Sequence, residues 1–172
     1  MLIYLQAIEE PEERSKFEQV YLAYRGLMFY VAKQLLGSDE DAWDAVHDAF
    51  VSIAKNIKKI SEPVCPKTKG FVVIIVERKA LDILRRRLRM PTDELDDELP
   101  GVPIDYEGGS ALGQCIARLP ARYREIILLK YDQGYTTREV AQIMGLTLAN
   151  AQSLDKRAKK RLEKICKEEG LL

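Results

Sequence analysis

The chain has 172 residues, 47% of them hydrophobic, which is enough for one ordinary domain or two small ones with a real core. Its 27 Lys and Arg balance 27 Asp and Glu, so net charge alone argues against a strongly basic nucleic-acid binder. The cysteines at 65, 115 and 166 are isolated, which excludes a zinc knuckle or a disulfide framework and favours reduced thiols in a cytoplasm.

The first third of the chain has helical periodicity. Apolar residues from Phe17 to Leu35 recur every three or four positions and predict a helix that Gly37 ends. Ser38 is placed to cap a second helix with an alanine-rich apolar side. No apolar run approaches the length of a membrane span, and the N-terminus lacks a basic region, so we expect neither membrane insertion nor a signal peptide.

The second helix places acidic side chains on neighbouring turns, at Asp41, Asp44 and Asp48. A solvated acidic face is one interpretation. The functional interpretation is a docking surface for a basic partner, which these charges would steer and orient. The single histidine, His47, is expected at the surface, and no nucleophile or cluster of metal ligands accompanies it. We therefore predict no catalytic residue, no metal site, no cofactor and no enzymatic activity.

A third helix is predicted from about Gly70 to Leu88, and it changes character along its length. It begins with an apolar run and ends in a cluster of cations. The basic residues are Arg78, Lys79, Arg85, Arg86, Arg87 and Arg89. Cations at the end of a helix compensate its dipole, but this cluster exceeds that need. A phosphate-binding stripe is the sharper interpretation, because Arg binds phosphate in a bidentate manner.

The segment Pro91–Ser110 divides the chain. It contains seven acidic side chains, no Lys or Arg, and several Pro and Gly residues. This composition predicts a flexible acidic linker between an N-terminal helical domain, 1–90, and a C-terminal domain, 111–172. The expected fold is therefore all-α, with two small helical domains.

The C-terminal domain has the spacing of a helix-turn-helix. Thr136 and Glu139 are placed as a capping box, Gly145 where a helix ends, and Thr147 where the next begins. Two short helices joined by a glycine turn fit the major groove of DNA. This domain is expected to form a four-helix type of fold.

The last predicted helix has an apolar stripe that runs through Ala151, Leu154 and Ala158, so we expect Leu154 inside and Asp155 outside. Asn150, Ser153, Lys156 and Arg157 project elsewhere. Polar amides and hydroxyls are suited to base edges, and cations to phosphates. An ordinary amphipathic terminal helix remains the alternative.

The order of these segments resembles the bacterial RNA polymerase sigma factors, specifically the small two-domain extracytoplasmic-function group. DAWDAVHDAF at Asp41–Phe50 resembles the acidic polymerase-docking helix of that family. IVERKALDILRRRLR at Ile75–Arg89 resembles the helix that binds the minus-ten element, and Leu119–Leu162 resembles the minus-thirty-five-binding domain. The resemblance covers roughly Phe17–Arg89 and Leu112–Leu162.

The resemblance implies a cytoplasmic protein that joins core RNA polymerase, recognises promoter DNA and initiates transcription, with an anti-sigma protein as a further candidate partner. It implies polymerase contacts by Asp41, Asp44 and Asp48. It implies minus-ten contacts by Phe71, Arg78, Lys79, Arg85, Arg86 and Arg87. It implies minus-thirty-five contacts by Asn150, Gln152, Ser153, Lys156 and Arg157.

The chain departs from the family pattern at several positions. The family usually has Trp at the position of Phe71, cations at those of Gln152 and Leu154, and Leu at that of Asp155. Fewer cations reduce affinity for DNA. Two alternatives to a promoter-binding sigma factor stay open. One is a diverged regulator with weak promoter recognition, and the other is a helical DNA-binding repressor without polymerase contact.

Overall fold

The computed structural model describes residues 1–89, 99, 101 and 109–172, and every regular element in these residues is helical. The all-α fold is thus confirmed. The chain divides into two compact units, Met1–Arg89 and Met90–Leu172. The predicted acidic linker lies almost wholly outside the described residues, so the linker and the domain limits stay predictions. Among the described helices, none combines the length and the apolar character needed to cross a membrane.

In the first unit, α2, α3 and α4 pack on one another, and the short α1 packs on α3. Pro11 and Pro66 begin α2 and α4, at positions where a helix needs no backbone N–H. The Ser38 side chain accepts a hydrogen bond from the Asp41 backbone N–H and so caps α3. The elements are α1 (Leu2–Leu5), α2 (Pro11–Leu36), α3 (Asp39–Lys55), a 3-10 turn (Ile57–Lys59) and α4 (Pro66–Leu88).

The core of this unit lies on the alanine side of α3. Ala42, Ala45 and Ala49 are fully buried, and their small side chains leave room for α2 and α4 to come close. Phe50 extends this core by packing edge-on against Phe17, with ring centroids 5.8 Å apart. Because α2 packs against both neighbours, its buried face is wider than the predicted single stripe.

In the second unit, the long α8 packs against α5, α6 and α7. The helix-turn-helix signals are confirmed: Thr136 and Glu139 form the capping box, Gly145 has φ 65°, and Thr147 accepts from the Asn150 backbone N–H. A π-helical turn, which the sequence did not predict, extends α6. The elements are α5 (Ala111–Ala117), α6 (Ala121–Ile127), the π turn (Leu128–Asp132), α7 (Thr137–Met144) and α8 (Leu148–Glu168).

Two glycines of α2 should respond to alanine in opposite ways. Gly26 lies within the helix and a methyl group there meets nothing within 4 Å, so Gly26→Ala should raise the free energy of unfolding by about 0.5–1 kcal/mol. Gly37 ends the helix with φ 71°. A methyl group there also meets nothing within 4 Å, but the left-handed backbone disfavours alanine, so Gly37→Ala should lower the free energy of unfolding by about 1–2 kcal/mol.

Trp43, the single tryptophan of the chain, lies in α3 of the same unit, so its fluorescence during urea unfolding is the measurement. Shifts of the same sign for both variants would contradict the left-handed end of α2.

Candidate polymerase and nucleic-acid interfaces

The acidic face of α3 is exposed where the sequence predicted it. Asp44 and Asp48 lie one turn apart at the surface, with His47 exposed between them. Tyr4 Oη and His47 Nδ1 are hydrogen-bonded at 2.8 Å, so α1 borders this face. Burial, together with nearby Tyr21 and Asp48, raises the pKa of Tyr4, and the phenol stays neutral beside the acids. The face therefore presents negative charge to solvent.

An aromatic pair adjoins these acids, and sequence reasoning did not single it out. Trp43 is 50% exposed and stacks on Phe29 of α2, with ring centroids 4.5 Å apart. The contact joins residues of two helices, so periodicity within either helix gives no sign of it. A half-exposed Trp beside charges is typical of a residue that anchors a protein interface.

Asp41 has a different environment from the other two acids. It forms an ion pair with Arg87 at the end of α4. Arg87 Nη1 also donates a 3.2 Å hydrogen bond to the carbonyl of Leu36, the last residue of α2. Three helix ends therefore meet at one guanidinium. A groove of about 450 Å³ opens there, lined by Asp41, Asp44, His47, Asp48, Ile83, Arg86 and Arg87.

The cations of α4 differ in accessibility. Arg86 and Arg87 are exposed, whereas Arg78 and Lys79 are half-buried. Arg85 is half-buried as well and forms an ion pair with Asp82 one turn earlier, at 2.6 Å. The accessible positive charge is thus concentrated in the last turn of the helix.

The implied DNA contact of Phe71 needs correction. Its side chain is 1% exposed and belongs to the core of the first unit. Phe71 lies on the buried first half of α4, where the apolar run packs against α2 and α3. An aromatic ring at this depth stabilises the helix packing and is not accessible to DNA in the unbound chain.

The exposed face of α8 carries the predicted reading residues. Leu154 and Ala158 are buried against the rest of the unit, as expected. Five polar or charged residues on the other side of the helix project to solvent. These exposed residues are Asn150, Gln152, Ser153, Lys156 and Arg157.

Asp155 was expected outside, and that prediction is wrong. The residue is 5% exposed and accepts a 2.6 Å hydrogen bond from Lys130 Nζ and a 3.0 Å bond from Tyr131 Oη. Lys159 Nζ lies 3.6 Å from the same carboxylate. The bond to Asp155 is the main cause that raises the pKa of Lys130. No local pattern predicts this cluster, because its members come from two elements: the π turn supplies Lys130 and Tyr131, and α8 supplies Asp155.

The same π turn borders an apolar groove of about 320 Å³ in the second unit. Tyr131 and Lys159 line it and also contact Asp155, so the groove adjoins the Asp155 cluster. The groove is lined by Leu112, Ile116, Ile127, Leu128, Tyr131, Asp132, Lys159 and Leu162. Exposed apolar surface of this kind is suited to contact with another protein.

Comparison with known families identifies both units. Residues 20–90 match the family model described as Sigma-70 region 2, and residues 110–162 match Sigma-70, region 4. The first match contains the acidic face and the α4 cations, and the second contains the helix-turn-helix.

Two sequence relatives agree with these matches. The ECF RNA polymerase sigma factor SigM of Mycobacterium tuberculosis is 26% identical over 155 residues, covering 89% of this chain and 78% of that protein. The RNA polymerase sigma factor SigV of Bacillus subtilis is 27% identical, covering 71% and 70% respectively. A solved structure of the sigma factor RpoE with the anti-sigma factor NepR from Bartonella quintana matches at 20% identity and TM-score 0.43, covering 88% and 96% of the two chains.

The buried position of Asp155 generates a stability prediction. Asp155→Leu removes the acceptor of Lys130 and Tyr131 and should lower the free energy of unfolding of the second unit by about 1–3 kcal/mol. Gln152→Leu, at an exposed position of the same helix, is the matched control and should shift it by less than about 0.5 kcal/mol. Circular dichroism during thermal unfolding measures both. Equal stability of the two variants would mean that Asp155 faces water.

Proposed function

This chain belongs to the sigma-70 family of RNA polymerase sigma factors, in the extracytoplasmic-function group, and we propose which of its surfaces meet polymerase and which meet promoter DNA. As a sigma factor it binds core polymerase and promoter DNA in order to initiate transcription. The observation that carries the assignment is the order of the two matched regions along one chain, one with an exposed acidic face and the other with a helix-turn-helix.

The proposed docking surface for core polymerase is the exposed part of α3. Asp44 and Asp48 supply charge for a basic partner surface, and Trp43 with Phe29 supplies apolar area beside it. Charges at the rim of an interface chiefly steer association, while a desolvated aromatic anchor slows dissociation. Asp41 contributes less directly to this docking surface, because its carboxylate is ion-paired with Arg87 in the unbound chain.

The proposed minus-ten contact is the last turn of α4, where Arg86 is exposed and Arg85 and Arg87 stand beside it. Arg78 and Lys79 are proposed as secondary contacts, since both are half-buried. Guanidinium groups hold the phosphates of a melting strand without reading sequence. The apolar half of the same helix fixes this turn against α2 and α3.

The proposed minus-thirty-five contact is the exposed face of α8. Asn150, Gln152 and Ser153 can reach base edges, and Lys156 and Arg157 can hold the flanking phosphates. The burial of Asp155 bears on the weak-binder alternative. Its negative charge points inward toward Lys130, so it does not repel DNA from this face. The departure from the family that remains on the surface is the missing cation at Gln152.

We further propose that the protein acts in the cytoplasm, where core polymerase and promoter DNA are found, and that it has no enzymatic activity of its own. The exposed apolar groove beside Tyr131 and the acidic face of α3 are the surfaces that we propose for contact with an anti-sigma antagonist.

The polymerase-docking proposal predicts a loss of affinity on charge reversal. Asp44→Lys combined with Asp48→Lys should weaken binding of the chain to purified core polymerase at least tenfold, because both positions are exposed and repulsion would replace attraction. Glu9→Lys with Glu62→Lys changes charge equally on exposed residues of the same unit outside α3, and it should change affinity little. Equal effects of the two double variants would show that net charge and not the α3 face is responsible.

The promoter proposal predicts a change in salt dependence. In the complex with core polymerase, Lys156→Gln and Arg157→Gln should each lower the log–log slope of duplex promoter binding against salt by about 0.9. Lys164→Gln, two turns further along α8 at a position ion-paired with Glu168, is the control and should leave the slope unchanged. A slope that does not respond to either substitution at 156 or 157 would remove this face from the DNA interface.

A further inference from the structure

One ion pair connects the two proposed surfaces of the first unit. Arg87 belongs to the basic turn of α4, and Asp41 belongs to the acidic side of α3, yet the two side chains bind each other. The Leu36 carbonyl accepts a second bond from the same guanidinium, which holds Arg87 over the start of α3. Both partners keep access to solvent, with the side chains of Arg87 and Asp41 43% and 29% exposed.

The pair has a consequence for binding at either end. A basic group of a partner that takes Asp41 Oδ2, the oxygen that Arg87 binds, displaces the Arg87 guanidinium. A phosphate that takes Arg87 must in the same way displace Asp41. Binding of the basic group to Asp41 therefore frees Arg87 for a phosphate, and binding of a phosphate to Arg87 frees Asp41 for the basic group. Two sites that share one breakable contact are coupled, and the coupling acts equally in both directions.

We propose that the Asp41–Arg87 pair is an internal link that makes core polymerase and promoter DNA favour each other's binding to this chain. In the unbound chain the pair reduces the affinity of each surface for its partner. When polymerase takes Asp41, Arg87 is released for a DNA phosphate. This inference rests on the proposed assignment of the two surfaces, and it makes Arg87 a coupling residue instead of a simple phosphate contact.

The size of the effect follows from the exposure of the pair. Partly exposed ion pairs are weak, so breaking this one should change an affinity by about twofold to fivefold. The groove that contains the pair is open and lined by further charges, including Asp44 and Arg86. A matched control must therefore separate loss of the pair from loss of one charge.

The first measurement is the affinity of the full chain for purified core polymerase without DNA. Arg87→Gln should bind core about twofold to fivefold more tightly than the parent chain, because Asp41 is no longer occupied. Arg86→Gln removes a cation from the same groove without removing the pair, and it should give a smaller gain. In the Asp41→Asn background the gain from Arg87→Gln should disappear, because no carboxylate remains to be released.

The second measurement is the affinity of the unbound chain for a fluorescent single-stranded DNA. Asp41→Asn should raise this affinity about twofold to fivefold by releasing Arg87, and Glu40→Gln, an exposed acid in the same helical turn, should raise it less. Circular dichroism confirms that each variant is folded.

The outcomes separate the inference from the proposed function. A parent chain that fails to bind core polymerase overturns the assignment of function itself. A parent that binds core, with Arg87→Gln no tighter than Arg86→Gln, overturns the link alone. If Arg87→Gln raises the affinity for core polymerase as much in the Asp41→Asn background as in the parent chain, the link is overturned as well, because the rise would then not depend on the Asp41 carboxylate.

Discussion

The arrangement of the first unit depends on how closely α3 packs against α2 and α4. The alanines at 42, 45 and 49 leave little side-chain volume on the inward side of α3, so larger groups of its neighbours fill the space. With that side buried, the acids must point outward. The same packing brings the start of α3 beside the end of α4, which is where Asp41 meets Arg87. Core packing therefore determines where both kinds of charge are presented.

The second unit adds buried polar groups to its apolar packing. α8 packs through Ala151, Leu154 and Ala158, but next to them it buries a carboxylate that accepts hydrogen bonds from two groups of the π turn. A buried charge is tolerated only with such partners. Because the hydrogen bonds are directional, they fix the rotation of α8 more narrowly than apolar contacts alone would. The same rotation of α8 determines where its exposed amides and cations point.

Local signals in the sequence predicted the helices well, because caps and periodicity are properties of neighbouring residues. Thr136, Glu139, Gly145 and Thr147 illustrate this. The errors came from contacts between distant residues. Asp155 follows the buried Leu154, and periodicity places it outside, but a π turn some 25 positions earlier supplies its partners. Phe71 was assigned to DNA by analogy with a family position, whereas its burial follows from three-helix packing that no single segment encodes.

The carboxylate at position 155 also constrains the order in which this protein could change during evolution. A substitution to the leucine usual in the family leaves Lys130 and Tyr131 without their acceptor, so it is tolerated more readily after those residues have been replaced. Position 152 carries no such dependence, since it is exposed on the same helix. A lineage of this protein could therefore adjust the charge on the exposed face of α8 one residue at a time, while positions 130, 131 and 155 would tend to change as a set.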